Sequence, residues 1–137
     1  MSKSPAAEPA TPRAIVIGHG EFAAGMRSAV QKITGRGDAL IAMSGADRSL
    51  AQIEDDIREK LRLSRVSVIF TDLQAGSATM AARKVQRDTP LLVLVVGANL
   101  AVLLDFVLNT TSPTLGEAAK HAAERGRAAI VVHEGGK

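Results

Sequence analysis

The residue with the clearest chemical potential is His19, set between two glycines in Gly18-His19-Gly20-Glu21-Phe22. A neutral imidazole is nucleophilic at one ring nitrogen when the other carries the proton. A carboxylate accepting from that N–H fixes the tautomer and stabilises the cation formed when the ring is phosphorylated. The acid suited to this is Asp72, in Thr71-Asp72-Leu73-Gln74-Ala75-Gly76-Ser77. Just beyond it, Gly76 lets the backbone come close to a ligand, and Ser77 opens a helix whose free N–H groups and dipole favour phosphoryl oxygens. The candidate site is therefore His19 as phosphoryl acceptor, Asp72 as its orienting acid, and Gly76, Ser77 and Gly20 around the phosphoryl group. Glycine on either side of His19 leaves the ring open to an incoming protein donor.

Other polar residues have plainer readings. His121 stands beside Lys120 and Glu124 on a helical face and is expected in solvent. His133 closes the last apolar run and is expected to be passive. Glu21 suits the first turn of a helix, where an acid complements the dipole. Asn99 either caps a helix or contacts the site, and the residues alone leave both open.

These groups need elements to hold them. Five short apolar runs read as strands covered on both faces: 14–18 (AIVIG), 39–43 (ALIAM), 66–71 (VSVIFT), 91–96 (LLVLVV) and 129–133 (AIVVH). Helical periodicity fills the gaps. One stripe runs through Phe22, Met26, Ala29, Val30 and Ile33 to Gly35, and a second through Leu50, Ile53, Ile57 and Leu61. Further helices are expected over 77–87, over 100–109, and from the capping-box pair Thr114 and Glu117 to Gly126. The order β-α-β-α-β-α-β-α-α-β predicts an α/β fold with an open, mostly parallel, doubly wound sheet and helices on both faces. About five strands are expected, the last of them antiparallel. Ligands in such sheets bind beyond the carboxyl ends of the strands, at a switch in strand order. His19 follows the first strand and Asp72 the third, so neighbouring strands would bring them into one crevice.

Bulk composition narrows the function. A chain of 137 residues, 46% apolar, fits one domain over 13–137, with 1–12 (MSKSPAAEPATP) read as a disordered tail lacking the apolar stretch of a signal peptide. Zero cysteines exclude disulfides and zinc–thiolate sites and suit a reducing, cytoplasmic setting. With three Phe, no Trp and no Tyr, stacking-based recognition of nucleic acid or carbohydrate is disfavoured. The 17 basic and 14 acidic residues are dispersed, so no nucleic-acid face is expected, although the net charge of +3 can help dock acidic proteins. No apolar run approaches the roughly 18 residues of a membrane span.

At these segments the sequence resembles the enzyme IIA components of the mannose family of the PEP-dependent sugar phosphotransferase system (PTS). The family's opening pattern reads here as Ile15-Val16-Ile17-Gly18-His19-Gly20-Glu21-Phe22-Ala23-Ala24-Gly25. Its second, Asp-Leu-x-Gly-Gly-Ser/Thr-Pro, reads as Asp72-Leu73-Gln74-Ala75-Gly76-Ser77-Ala78. Its third reads as Gly97-Ala98-Asn99-Leu100-Ala101-Val102-Leu103-Leu104. The likeness runs from about residue 13 to 133. It implies a phosphotransferase with a phosphohistidine intermediate and no metal or other cofactor. His19 would take phosphate from the phosphocarrier protein HPr on Nε2, with Asp72 on the opposite nitrogen. The recipient would be a separate enzyme IIB subunit during sugar uptake, and any membrane contact would be indirect, through the transporter subunits. The family also implies a homodimer in which the last strand, here 129–133, joins the partner's sheet. Three positions depart from the pattern: Ala75 for glycine, Ala78 for proline and Met80 for a frequent asparagine. The Gly76-Ser77-Ala78 run is also similar to the phosphocarrier subunit of PEP-dependent dihydroxyacetone kinase. That alternative, or a regulatory phospho-sensor, changes the acceptor rather than the chemistry at His19.

Two rivals follow from the same residues. Gly18-His19-Gly20-Glu21-Phe22-Ala23 satisfies the dinucleotide fingerprint G-x-G-x-x-A, but only Asp47 lies near where that reading wants a ribose-binding acid. A receiver-like domain would need an acidic cluster and an aspartyl phosphoacceptor at the first strand, where this chain has His19.

Overall fold

The computed structural model describes residues 12–136. The tail expected over 1–12 falls outside the described residues except for Pro12. Ten elements follow one another: β1 (Ala14–Gly18), α1 (Phe22–Thr34), a 3-10 turn (Gly37–Ala39), β2 (Leu40–Ser44), α2 (Leu50–Ser64), β3 (Val68–Thr71), α3 (Ser77–Arg87), β4 (Val93–Val96), α4 (Leu100–Leu108) and α5 (Leu115–Ala128). The four strands form one parallel sheet in the order β2-β1-β3-β4. The chain steps from β1 to β2 in one direction and from β2 through β3 to β4 in the other. Constant crossover handedness then sends α1 to one face and α2 and α3 to the opposite one.

The core follows that division. Successive residues of a strand point to opposite faces. Ala14, Val16, Val68 and Phe70 therefore pack with α1, α4 and α5, whereas Ile15, Ile17 and Ile69 pack with α2 and α3. Phe70 meets Phe106 of α4 edge-to-face, with ring centroids 5.0 Å apart. All of β1 is buried, which explains its unbroken apolar run. On α2 the charged face carries Arg58–Glu54 and Lys60–Asp56 pairs at helical spacing.

Local signals explain the helix limits. Gly35 ends α1 with φ 74°, a left-handed conformation that glycine adopts without penalty. Ser49 and Gln52 form a reciprocal capping box on α2, and Asn99 and Thr114 cap α4 and α5. Gly126, expected as a stop, is instead an internal residue of α5. A Cβ there would lie 2.0 Å from Val102 Cγ2, and the Gly126 carbonyl accepts from Asn99 Nδ2 at 3.2 Å. Its small size lets α5 close onto α4, and the helix continues to Ala128.

The expected fifth strand over 129–133 is not formed. A strand needs a paired edge, and within one chain this segment does not lie along one. Ile130, Val131 and Val132 are 72%, 62% and 82% exposed. β4 lies at one side of the sheet, with its other edge unpaired among the described strands. Among the described residues no helix is long and apolar enough to cross a membrane.

Candidate functional site

The reversal of strand order falls between β1 and β3, and the two key residues follow those strands. His19 Nδ1 lies 2.8 Å from Asp72 Oδ2, and the His19 backbone N–H donates to the same oxygen at 2.8 Å. One carboxylate oxygen thus holds both the main chain and the ring of His19. Since the oxygen accepts, Nδ1 carries the proton, and in the neutral ring the lone pair is then on Nε2. The His19 side chain is 62% exposed and the Asp72 side chain 12%. The imidazole faces solvent while the carboxylate sits beneath it.

Burial works to raise the Asp72 pKa, but the hydrogen bonds from the His19 backbone and ring outweigh it, and the net shift is downward. The carboxyl is therefore ionised at neutral pH and available as an acceptor.

Glycines make this geometry possible. A Cβ on Gly18 would lie 2.7 Å from Asp72 Cγ and 2.7 Å from Phe22 Cδ2. Gly18 thus makes room for the carboxylate rather than opening the ring face. Gly20 takes φ 48°, which turns the chain from β1 into α1. A Cβ on Gly76 would lie 3.0 Å from His19 Cε1 and 3.7 Å from Nε2, so the start of α3 stands directly against the Cε1–Nε2 edge of the ring. Gly76 occupies the N-cap position of α3 and provides no side-chain cap. The first N–H groups of a helix have no intrahelical partner, and here no side chain caps them. A shallow cavity of about 80 Å³ is lined by Gly18, His19, Gly20, Gly45, Ala46, Ser77 and Ala78. That is far below the roughly 300–1,000 Å³ typical of drug-sized or cofactor ligands, and it disfavours the dinucleotide reading. Asp47, the ribose-binding candidate of that reading, is an exposed residue at φ 57°.

All five expected site residues, His19, Asp72, Gly76, Ser77 and Gly20, meet at this edge. Sequence reasoning missed Gly45 and Ala46, the third wall. Gly45 N–H donates to the Gly18 carbonyl at 3.2 Å, tying the loop after β2 to the end of β1. The signal was available, since this loop also follows a strand's carboxyl end. It missed Thr71 and Thr79 as well, two buried hydroxyls under the Asp72 loop. Asn99 is a cap: its Oδ1 accepts from Val102 N–H at 2.9 Å. Glu21 is exposed at the N-cap position of α1 and its side chain caps nothing. His133 is exposed. His121 is exposed as expected, and its Nδ1 in addition pairs with Asp105 Oδ2 at 2.7 Å, with Arg125 Nε 3.8 Å from the other oxygen. Among the described residues no group of three or more His, Cys, Asp or Glu is placed to hold a metal.

The family model for the PTS system fructose IIA component, the EIIA-man family, matches residues 13–123. The chain belongs to this family of PTS IIA components. Solved structures carry the same fold. The phosphotransferase system component EIIA from Streptococcus agalactiae aligns with TM-score 0.79 and 19% identity, over 89% of this chain and 97% of its own. The mannose/sorbose-specific IIA subunit from Enterococcus faecalis gives TM-score 0.77 and 22% identity, over 93% and 98%. A sigma-54 interaction domain protein from Enterococcus faecalis gives 0.70 and 14%, over 88% and 94%. No curated protein matches the sequence. As a IIA component, the chain has a phosphotransfer role in the PTS, and its family implies interaction with HPr and IIB components.

The Asp72 carboxyl gives a pH signature. A depressed folded pKa contributes stability that is fully present above the unfolded value of about 3.9 and is lost as pH falls through the folded value. Urea unfolding of wild type and Asp72→Asn should therefore differ at pH 7, and the difference should shrink below about pH 4.

Proposed function

We propose that His19 carries the phosphoryl group on Nε2, taking it from phospho-HPr and passing it to an enzyme IIB subunit during sugar uptake. The observation behind this reading is the double acceptance by Asp72 Oδ2 on one side of the ring, with the uncapped start of α3 on the other. In the transfer, the Nε2 lone pair attacks phosphorus. The donor's P–N bond breaks and its electron pair returns to the donor imidazole. The product is an Nε2-phosphorylated ring that keeps its Nδ1–H on Asp72, whose charge offsets the new cation. Backbone N–H groups at Ser77 and Ala78, the Ser77 hydroxyl and the helix dipole receive the phosphoryl oxygens. Delivery to IIB is the same step in reverse, with the acceptor's nucleophile attacking. Leu73 and Met80, 54% and 56% exposed, flank the site as apolar contacts for both partners.

His121 is an internal control. It has an equivalent His–Asp bond and 55% side-chain exposure, but it lies mid-helix, without an uncapped helix start against it. Incubation with PEP, enzyme I and HPr should add one phosphoryl group by intact mass. His19→Ala should abolish it, while His121→Ala and His133→Ala should keep it. Gly76→Ala, which sets a methyl against the ring, should slow transfer about tenfold. Phosphorylation that survives in His19→Ala would remove this assignment.

A regulatory phospho-sensor is favoured as second reading by the likeness to the sigma-54 interaction domain protein; the dihydroxyacetone kinase acceptor is the third. Release of the phosphoryl group to purified IIB, and not to the kinase, separates the three.

We also propose a homodimer in which residues 130–132 of each chain pair along the free edge of the other's β4. Its support is the β4 edge left unpaired among the described strands, together with the exposure of Ile130, Val131 and Val132. Deleting residues 130–137 should convert a dimer to a monomer in sedimentation. A wild-type monomer, or a truncated dimer, contradicts it.

A further inference from the structure

Asp72 is held only as well as the loop that carries it, and the loop is pinned at two points. On one side, the Thr71 carbonyl accepts from both Gly97 N–H and Ala98 N–H at 2.9 Å. On the other, Thr79 in the first turn of α3 reaches back with Oγ1 to the Leu73 carbonyl and lies 2.7 Å from Thr71 Oγ1. Thr71 and Thr79 are 0% and 3% exposed, so water does not substitute for these bonds. Proton counting orders them. The Leu73 carbonyl has no proton, so the Thr79 hydroxyl donates to it, and the Thr71 hydroxyl donates to Thr79. Residues 71 and 73 are thus both tied to the same side chain, and the residue between them is Asp72.

We infer that Thr79 is a positioning residue: by clamping Leu73 and Thr71 it holds the Asp72 carboxylate under His19 and so selects the tautomer with the proton on Nδ1. The consequence for transfer rests on the proposed role of His19; the geometric effect does not. The side chain touches neither the imidazole nor the cavity beside it. Ser77, by contrast, lines that cavity.

Thr79→Val keeps the shape and the β-branch but leaves the Leu73 carbonyl and the Thr71 hydroxyl without a partner. Thr79→Ser keeps the hydroxyl. Thr71→Val removes only the upstream bond. In nitrogen-15 spectra of the imidazoles at neutral pH, Thr79→Val should raise the Nε2–H form of His19 to a comparable population. His121, on the other side of the sheet, should stay unchanged. Transfer from phospho-HPr should fall about tenfold. Thr79→Ser should restore both, and Thr71→Val should fall between. Thermal unfolding checks the fold; should Val not fold, Thr79→Ala carries the same expectation. A wild-type tautomer ratio without the Thr79 hydroxyl overturns the inference, whatever the transfer rate. A shifted ratio in a protein that HPr never phosphorylates sustains the clamp and sinks the carrier reading instead.

Discussion

One oxygen does two jobs in this molecule. Asp72 Oδ2 accepts from both the backbone N–H and the ring of His19, the residue that follows β1. The first bond fixes where His19 leaves the sheet, and the second fixes which nitrogen is free. Neither is available unless Gly18 has no side chain, because a Cβ there would occupy the carboxylate's place. Removing this contact would free the ring in rotation and in tautomer together.

The fold supplies what the contact needs. A reversal of strand order opens a crevice between β1 and β3, and parallel strands put all their carboxyl ends on that edge. From there α1 leads away from His19 while α3 arrives beside it, start first. Ser49 caps α2 and Asn99 caps α4, whereas Gly76 leaves the start of α3 open beside the ring, as Glu21 leaves that of α1. The result is an imidazole with a carboxylate behind it and an uncapped helix start in front of it, at a small cavity of about 80 Å³. In the proposed transfer, backbone amides at that helix start would be the donors to the phosphoryl oxygens.

Much of this was legible in the residues. Strands covered on both faces leave unbroken apolar runs, so β1 was found at its true limits and β2 within a residue at each end. Strands β3 and β4 came out two residues long at the start, because Val66 and Leu92 are buried without belonging to the ladder. The site was readable because strand ends converge, which puts His19 and Asp72 together once the first and third strands are neighbours. Three things were not readable. The AIVV run has strand propensity, but pairing is a property of edges, and none of the described strands pairs with it. Gly126 has the composition of a stop, yet its role comes from Val102 on another helix. The His121–Asp105 pair joins residues 16 apart on two helices, and the Thr79 clamp turns on how the α3 start meets the end of β3. Each of these depends on packing between elements, about which local patterning is silent.

The most direct test of the account is the position of the phosphoryl group on the ring. With nitrogen-15-labelled histidine, the phosphorylated protein should show phosphorus coupled to Nε2 of His19, with the Nδ1 proton retained and protected from exchange by Asp72. Coupling to Nδ1, or a phosphoryl group on any residue other than His19, would contradict it.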